Sequence, residues 1–113
     1  MTVTRPAAER LLGIFHLYIK EECVGEFLSA ARTVLPQSAA EEGLIRYEML
    51  RSREDPRHFT FVDLYRDQAA YDVHLQHEHL RRFAEAIKDF HRSPPAGEFY
   101  SVVEIFDRTG GAA

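Results

Sequence analysis

EEGLIRYEMLRSREDPRHFTFVDLYRDQAAYDVHLQHEHL, residues 41–80, holds two strands, the turn between them and a helical stretch with three of the six histidines. Ile45, Tyr47 and Met49 alternate with Arg46, Glu48 and Leu50, the period of two of a pleated strand. Glu54-Asp55-Pro56-Arg57 interrupts it. Proline fixes φ and drives the preceding residue out of the helical region, so the chain is expected to reverse there. In the next strand Phe59, Phe61, Asp63 and Tyr65 share one face, which sets a carboxyl group among three aromatic rings. Asp67 then serves as the N-cap of a helix starting at Gln68. Tyr71, Leu75, Leu80, Phe83, Ile87 and Phe90 form its inward stripe, with a change of phase at residues 76–78. His74 lies beside that stripe and His79 at its restart.

The rest of the chain completes this unit. Residues 11–19 read as a strand, with Leu12, Ile14, His16 and Tyr18 on one face and Leu11, Phe15, Leu17 and Ile19 on the other. From 23 to 35, Val24, Phe27, Leu28, Ala31 and Leu35 recur at helical steps, and Pro36 is expected to stop the helix. Ser93-Pro-Pro-Ala-Gly reads as a rigid turn before a last strand over 99–106. The order β-α-β-β-α-β predicts an α+β fold of ferredoxin-like topology, a four-stranded antiparallel sheet with two helices on one face. Residues 11–107 form its single domain, flanked by a flexible start (1–10) and a flexible tail (108–113). Val62, Leu64, Leu50, Leu17 and one side of the last strand would leave the uncovered face apolar, so two sheets are expected to pack face to face in a homodimer. The helix side then holds a pocket with His16, Tyr47, Asp63, Tyr65, Tyr71 and His74; a slip of one residue would exchange the two faces.

Composition narrows the partners. At 113 residues, 45% hydrophobic and 28% charged, the chain suits one ordinary globular core. A net charge of −4 with interspersed signs offers no basic face for nucleic acid. One cysteine excludes an internal disulfide framework and a CxxC metal site, and fits a reducing, cytoplasmic setting. The apolar run at 11–19 is broken by Gly13 and His16, so neither a signal peptide nor a membrane span is expected.

The ordered series Glu42-Gly43, Arg46-Tyr47-Glu48-Met49-Leu50, Asp55-Pro56, Phe59, Asp63-Leu64-Tyr65-Arg66-Asp67, Ala70-Tyr71, His74 and His79-Leu80 resembles the antibiotic biosynthesis monooxygenase domain of the dimeric α+β barrel superfamily. The resemblance runs from about Leu11 to Ile105. It implies a homodimer that binds flat aromatic or quinone-like molecules between sheet and helices, and for some members oxidation of phenols or quinols by molecular oxygen with no metal, flavin or other cofactor. Another branch degrades haem, with an asparagine on the first strand and a tryptophan and a ligating histidine on the second helix. Ile14, His74 and Ala84 stand at those positions and the chain has no tryptophan, which speaks against haem.

Oxygenation without a cofactor needs a base that makes an electron-rich anion, donors that hold it, and a dry aromatic pocket. His74 suits the base, because imidazole titrates near neutral pH; the plainer alternative is a histidine that braces the helix break. Asp63 would orient a histidine or accept a substrate hydroxyl, or else pair with Arg46 or Arg66. Tyr47, Tyr65, Tyr71, His16 and His79 are the substrate-binding candidates, with ordinary packing or helix bracing as the competing role of each. His74, His77 and His79 are close in sequence, but the break between them argues against a metal site. The leading expectation is a cofactor-independent monooxygenase acting on a small quinol or phenolic, polyketide-like ring. An isomerase of a phosphorylated signalling sugar would need Arg46 or Lys20 inside the pocket, and a non-catalytic binding dimer would fill the pocket with its own aromatics.

Overall fold

A computed structural model describes residues 9–105. Residues 1–8 of the flexible start expected at 1–10, the flexible tail expected at 108–113, the close of the domain at 107 and the end of the last strand at Phe106 lie outside the described residues. The elements are β1 (Leu11–Ile19), a short 3-10 turn (Glu21–Cys23), α1 (Val24–Ala39), β2 (Leu44–Arg51), β3 (His58–Tyr65), α2 (Gln68–His74), α3 (Glu78–Ile87) and β4 (His91–Ser101). The strands form one antiparallel sheet in the order β2-β3-β1-β4, the ferredoxin-like arrangement. None of the described helices is long and apolar enough to cross a membrane.

Helices cover one face, and the core there is Leu17, Ile19, Phe27, Ala31, Phe59, Phe61 and Ile87. A smaller cluster of Leu44, Tyr65 and Ala70 continues it beneath α2. Asp67 caps α2 as its residue type predicts, accepting from the Ala70 N–H at 2.9 Å. The phase change in the apolar stripe is a real break: α2 ends at His74 and α3 starts at Glu78, with Leu75 capping the first helix.

Three local expectations are corrected. Pro36 does not stop α1, which runs on to Ala39. Proline removes one donor to the carbonyl four residues back, that of Arg32, and Arg32 and Pro36 both lie on the exposed side of the helix, where the missing bond costs least. Val34 and Ser38 meanwhile extend the buried stripe of Phe27 and Ala31 by another turn. Pro94 and Pro95 lie inside β4 rather than in a turn before it. β4 is an edge strand, and its register to β1 shifts between His16 and Tyr18, where the prolines sit, so no ladder bond is demanded of them. The strand ends at Ser101, and residues 102–105 are not part of it.

The third correction concerns β1. Leu17 and Ile19 go to the helix side, where they are 8% and 0% exposed, so alternation sends His16 and Tyr18 to the opposite face. His16 therefore leaves the pocket. Its Nδ1 lies 2.9 Å from Nε2 of His58 and 3.2 Å from the Thr60 hydroxyl, and its Nε2 faces Glu98 at 3.7 Å. Leu17, expected on the uncovered face, belongs to the core.

Candidate active site

The site is built on one cross-strand row. Tyr47 of β2 pairs with Asp63 of β3, Asp63 with Gly13 of β1, and Gly13 with Phe99 of β4. The next row is Met49, Phe61, Phe15 and Gly97. Gly13 opens the space between them, because a Cβ there would stand 2.7 Å from two atoms of the Phe15 ring. That ring lies across the glycine and meets Phe99 edge-on at 5.4 Å. The helices supply the roof.

Under it is a cavity of about 220 Å³ walled by Phe15, Leu17, Tyr47, Phe61, Asp63 and Phe83, with Tyr71, His74, Leu75 and Leu80 from the helix break. Of the residues singled out in the sequence, His74, Asp63, Tyr47 and Tyr71 reach the cavity wall. Tyr65 stands behind the wall, fully buried, and donates its hydroxyl to Asp63 Oδ2 at 2.7 Å. His79 also stays outside the wall, and His16 is on the far side of the sheet. A larger hollow, about 480 Å³, lies between Glu9, Arg10 and residues 101–105, but its described walls carry neither histidine nor aromatic ring.

Asp63 is 3% exposed, and its Oδ1 has no hydrogen-bond partner among the described residues. The ion pairs with arginine do not form: Arg46 faces Glu48 at 3.4 Å and Arg66 faces Asp67 at 3.6 Å. Burial, reinforced by the charge of Glu41 and opposed by the Tyr65 hydrogen bond, pushes the Asp63 carboxyl up to about 7. Asp63 thus reaches neutral pH with a large protonated fraction, able to donate as well as accept. Burial also pushes the Tyr47, Tyr65 and Tyr71 phenols above their usual range, with Asp63 adding to each, so all three stay neutral donors. The Ser38 hydroxyl comes near enough to Tyr47 to offset its shift slightly without reaching hydrogen-bond geometry.

The break between α2 and α3 does the opposite of scattering the histidines. It gathers them on Glu41, a residue of the α1–β2 connection that local sequence patterns do not mark. Nδ1 of His74 lies 2.9 and 3.0 Å from the two Glu41 carboxylate oxygens, and Nε2 of His79 lies 2.7 Å from Oε2. His77 is 3.8 Å away and stacks on His79 at 4.8 Å. The Glu41 side chain is 7% exposed and that of His74 5%. Gly43 makes this packing possible: a Cβ there would stand 2.4 Å from Ala70 Cβ, and its carbonyl accepts from the Arg66 N–H at 2.8 Å. Glu41 and Glu42 look alike in sequence, and only the long-range contacts distinguish the buried one from its exposed neighbour.

With the geometry in place, comparison with known proteins is direct. A solved structure from Nitrosomonas europaea named “Putative antibiotic biosynthesis monooxygenase” superposes with a TM-score of 0.82 over 90% of this chain and 96% of that one, at 22% identity, a match of fold. “Putative monooxygenase YcnE” of Bacillus subtilis (strain 168) is 28% identical over 79 residues, 70% of this chain and 83% of YcnE. “Uncharacterized protein sll1783” of Synechocystis is 26% identical over 89 residues, which span 79% of this chain and 60% of that longer relative. Residues 12–86 match the sequence family described as antibiotic biosynthesis monooxygenase. The match covers well over half of the chain, which therefore belongs to the antibiotic biosynthesis monooxygenase family.

Proposed function

We propose that the protein is a cofactor-independent monooxygenase that oxidises a small quinol or phenolic ring with molecular oxygen. The observation that carries this reading is a cavity with aromatic walls in which a carboxylate-anchored imidazole, His74, shares the lining with a buried carboxyl, Asp63. With Nδ1 of His74 turned to Glu41, Nε2 is the ring nitrogen left for a substrate proton. In a one-ring quinol His74 takes a hydroxyl proton, and the resulting anion passes one electron to O2. Substrate radical and superoxide combine at the ring carbon next to the one that bears the oxygen, the peroxide is protonated, and loss of water with that carbon's hydrogen leaves a new carbonyl, giving a hydroxyquinone. One oxygen atom enters the product and the other leaves as water, so the substrate supplies both electrons. Asp63, partly protonated near pH 7, is placed to return the proton or hold the oxygen that gains charge. Tyr47 and Tyr71 complete the polar lining.

Cavity size favours a single ring. An apolar cavity of about 150 Å³ holds one benzene, so 220 Å³ suits a substituted one-ring quinol better than a fused polyketide. The phosphorylated-sugar alternative loses its main support, since no lysine or arginine is among the residues lining the cavity. Arg46 sits at the surface against Glu48, and Lys20 is not part of the wall. The non-catalytic reading expects the pocket to be filled by its own aromatics, whereas an open volume remains.

The same proposal includes a homodimer. Leu50 and Tyr100 on the uncovered sheet face are 47% and 48% exposed, and a second copy packed on that face would cover them. The cytoplasm is the proposed setting, on the strength of the lone thiol Cys23. Oxygen consumption with a panel of reduced one-ring quinols tests the activity, and sedimentation at micromolar concentration tests the dimer. No uptake above autoxidation across the panel would refute the first, and a monomer would refute the second.

A further inference from the structure

Glu41, His74 and His79 form a connected group whose exposure rises step by step away from the cavity. The side chains of His74 and Glu41 are 5% and 7% exposed, that of His79 is 15% and that of His77 is 37%. Among the described residues, the groups within ion-pair distance of the Glu41 carboxylate are imidazoles, with no lysine or arginine. An ionised carboxylate this deeply buried needs a compensating positive charge. Two imidazolium rings on one buried carboxylate would overcompensate, so the arrangement balances with one.

We infer that Glu41 holds a single positive charge shared between His74 and His79, and that His79 releases a proton to solvent through the α2–α3 break as His74 accepts one from the substrate. The inference rests on His74 acting as the base. Its balance is simple. Before reaction His79 carries protons on both ring nitrogens and His74 only on Nδ1, which donates to Glu41. The substrate hydroxyl gives its proton to His74 Nε2. His79, with Nε2 still donating to Glu41, gives up the Nδ1 proton toward His77 and water, and the group keeps its net charge. A buried base is thereby freed from having to carry an extra charge, and the abstracted proton is matched by one leaving at the surface. Glu41 in this account is a positioning residue that fixes the His74 tautomer, and His79 is a charge partner that never touches substrate.

Other titratable groups surround the cluster: Asp63, Tyr47, Tyr65 and Tyr71 on the cavity side and His77 on the solvent side. The charge of Glu41 reaches Asp63, so the two sides are electrostatically linked.

Two-bond proton–nitrogen NMR of the full chain labelled with 15N-histidine tests the arrangement without any substrate. The expected wild-type pattern at pH 7 is His74 protonated at Nδ1 and bare at Nε2, with His79 as the one imidazolium of the pair. Glu41→Gln should turn both rings neutral at that pH. A His74 ring protonated at Nε2 and bare at Nδ1, or ring signals unchanged in a folded Glu41→Gln variant, would overturn the inference. Should Glu41→Gln fail to fold, His79→Gln keeps a donor to the carboxylate and removes the second imidazole. His74 then becomes the sole imidazolium, and the pH at half-maximal oxygen uptake moves upward. A mere structural brace would leave that midpoint in place and lower only the melting temperature, which would refute the charge sharing. Ring spectra as expected in a protein that consumes no oxygen would retain the shared charge and reject the oxygenase reading alone.

Discussion

Asp63 makes stability depend on pH in an unusual direction. Its carboxyl is 3% exposed and held at about 7, against 3.8 for the free side chain. Between those values the unfolded chain has lost this proton while the folded one keeps it. The folded state binds more protons, so stability falls as pH rises through this window. The favourable contribution is complete below about pH 4 and lost by pH 7 to 8. A difference of about three units at 1.36 kcal/mol each gives at most about 4 kcal/mol, a large share of the total for a small domain. Asp63→Asn removes the titration while leaving a carbonyl to accept the Tyr65 hydroxyl at the position of Oδ2. Urea unfolding of both proteins at pH 4 to 8, followed by circular dichroism at fixed protein concentration, isolates Asp63 together with the groups coupled to it, because uncoupled groups cancel in the difference. The variant should gain on the wild type by about 1.4 kcal/mol per pH unit between pH 4 and 7 and then level off. Parallel curves across that range would refute the assignment of a buried, unpaired carboxyl, whatever their vertical offset.

Two further substitutions separate parts of the structure. His16→Ala should leave oxygen uptake within about twofold, because His16 lies on the uncovered sheet face, whereas a loss of tenfold or more in a folded protein would return His16 to the site. Gly43→Ala puts a methyl 2.4 Å from Ala70 Cβ, so α2 must shift; the expected loss is about 1–3 kcal/mol by denaturant unfolding, and an unchanged midpoint would contradict the close packing.

The parts of this fold that were legible in the sequence are those where one face is wet and the other dry. β3, with Phe59, Phe61, Asp63 and Tyr65 on one side, shows its register openly, and the row that places Tyr47 and Asp63 in the cavity follows from it. Asp67 marks the start of α2 through a local side-chain bond, and the shifted stripe marks the break after it. β1 is different. Leu-Leu-Gly-Ile-Phe-His-Leu-Tyr-Ile is apolar at most positions of both faces, so alternation offers no sign of which side meets the helices, and the side of His16 cannot be read from it. The prolines at 36, 94 and 95 misled for a shared reason. A missing N–H disrupts structure only where that N–H is needed, and exposure or an edge position is a property of the folded chain. Glu41 was hidden most deeply. An acid in a polar connection reads as solvated until the fold brings His74, 33 residues on, and His79, 38 residues on, to its two oxygens.

The most direct test of the proposed chemistry is oxygen uptake by purified, metal-stripped protein offered reduced one-ring quinols, beside a His74→Ala variant and a blank for autoxidation. Uptake above the blank is expected, lost in the variant while its fold, followed by circular dichroism, is kept. Uptake that persists undiminished in folded His74→Ala, or no uptake with any of the quinols, would contradict this chemistry.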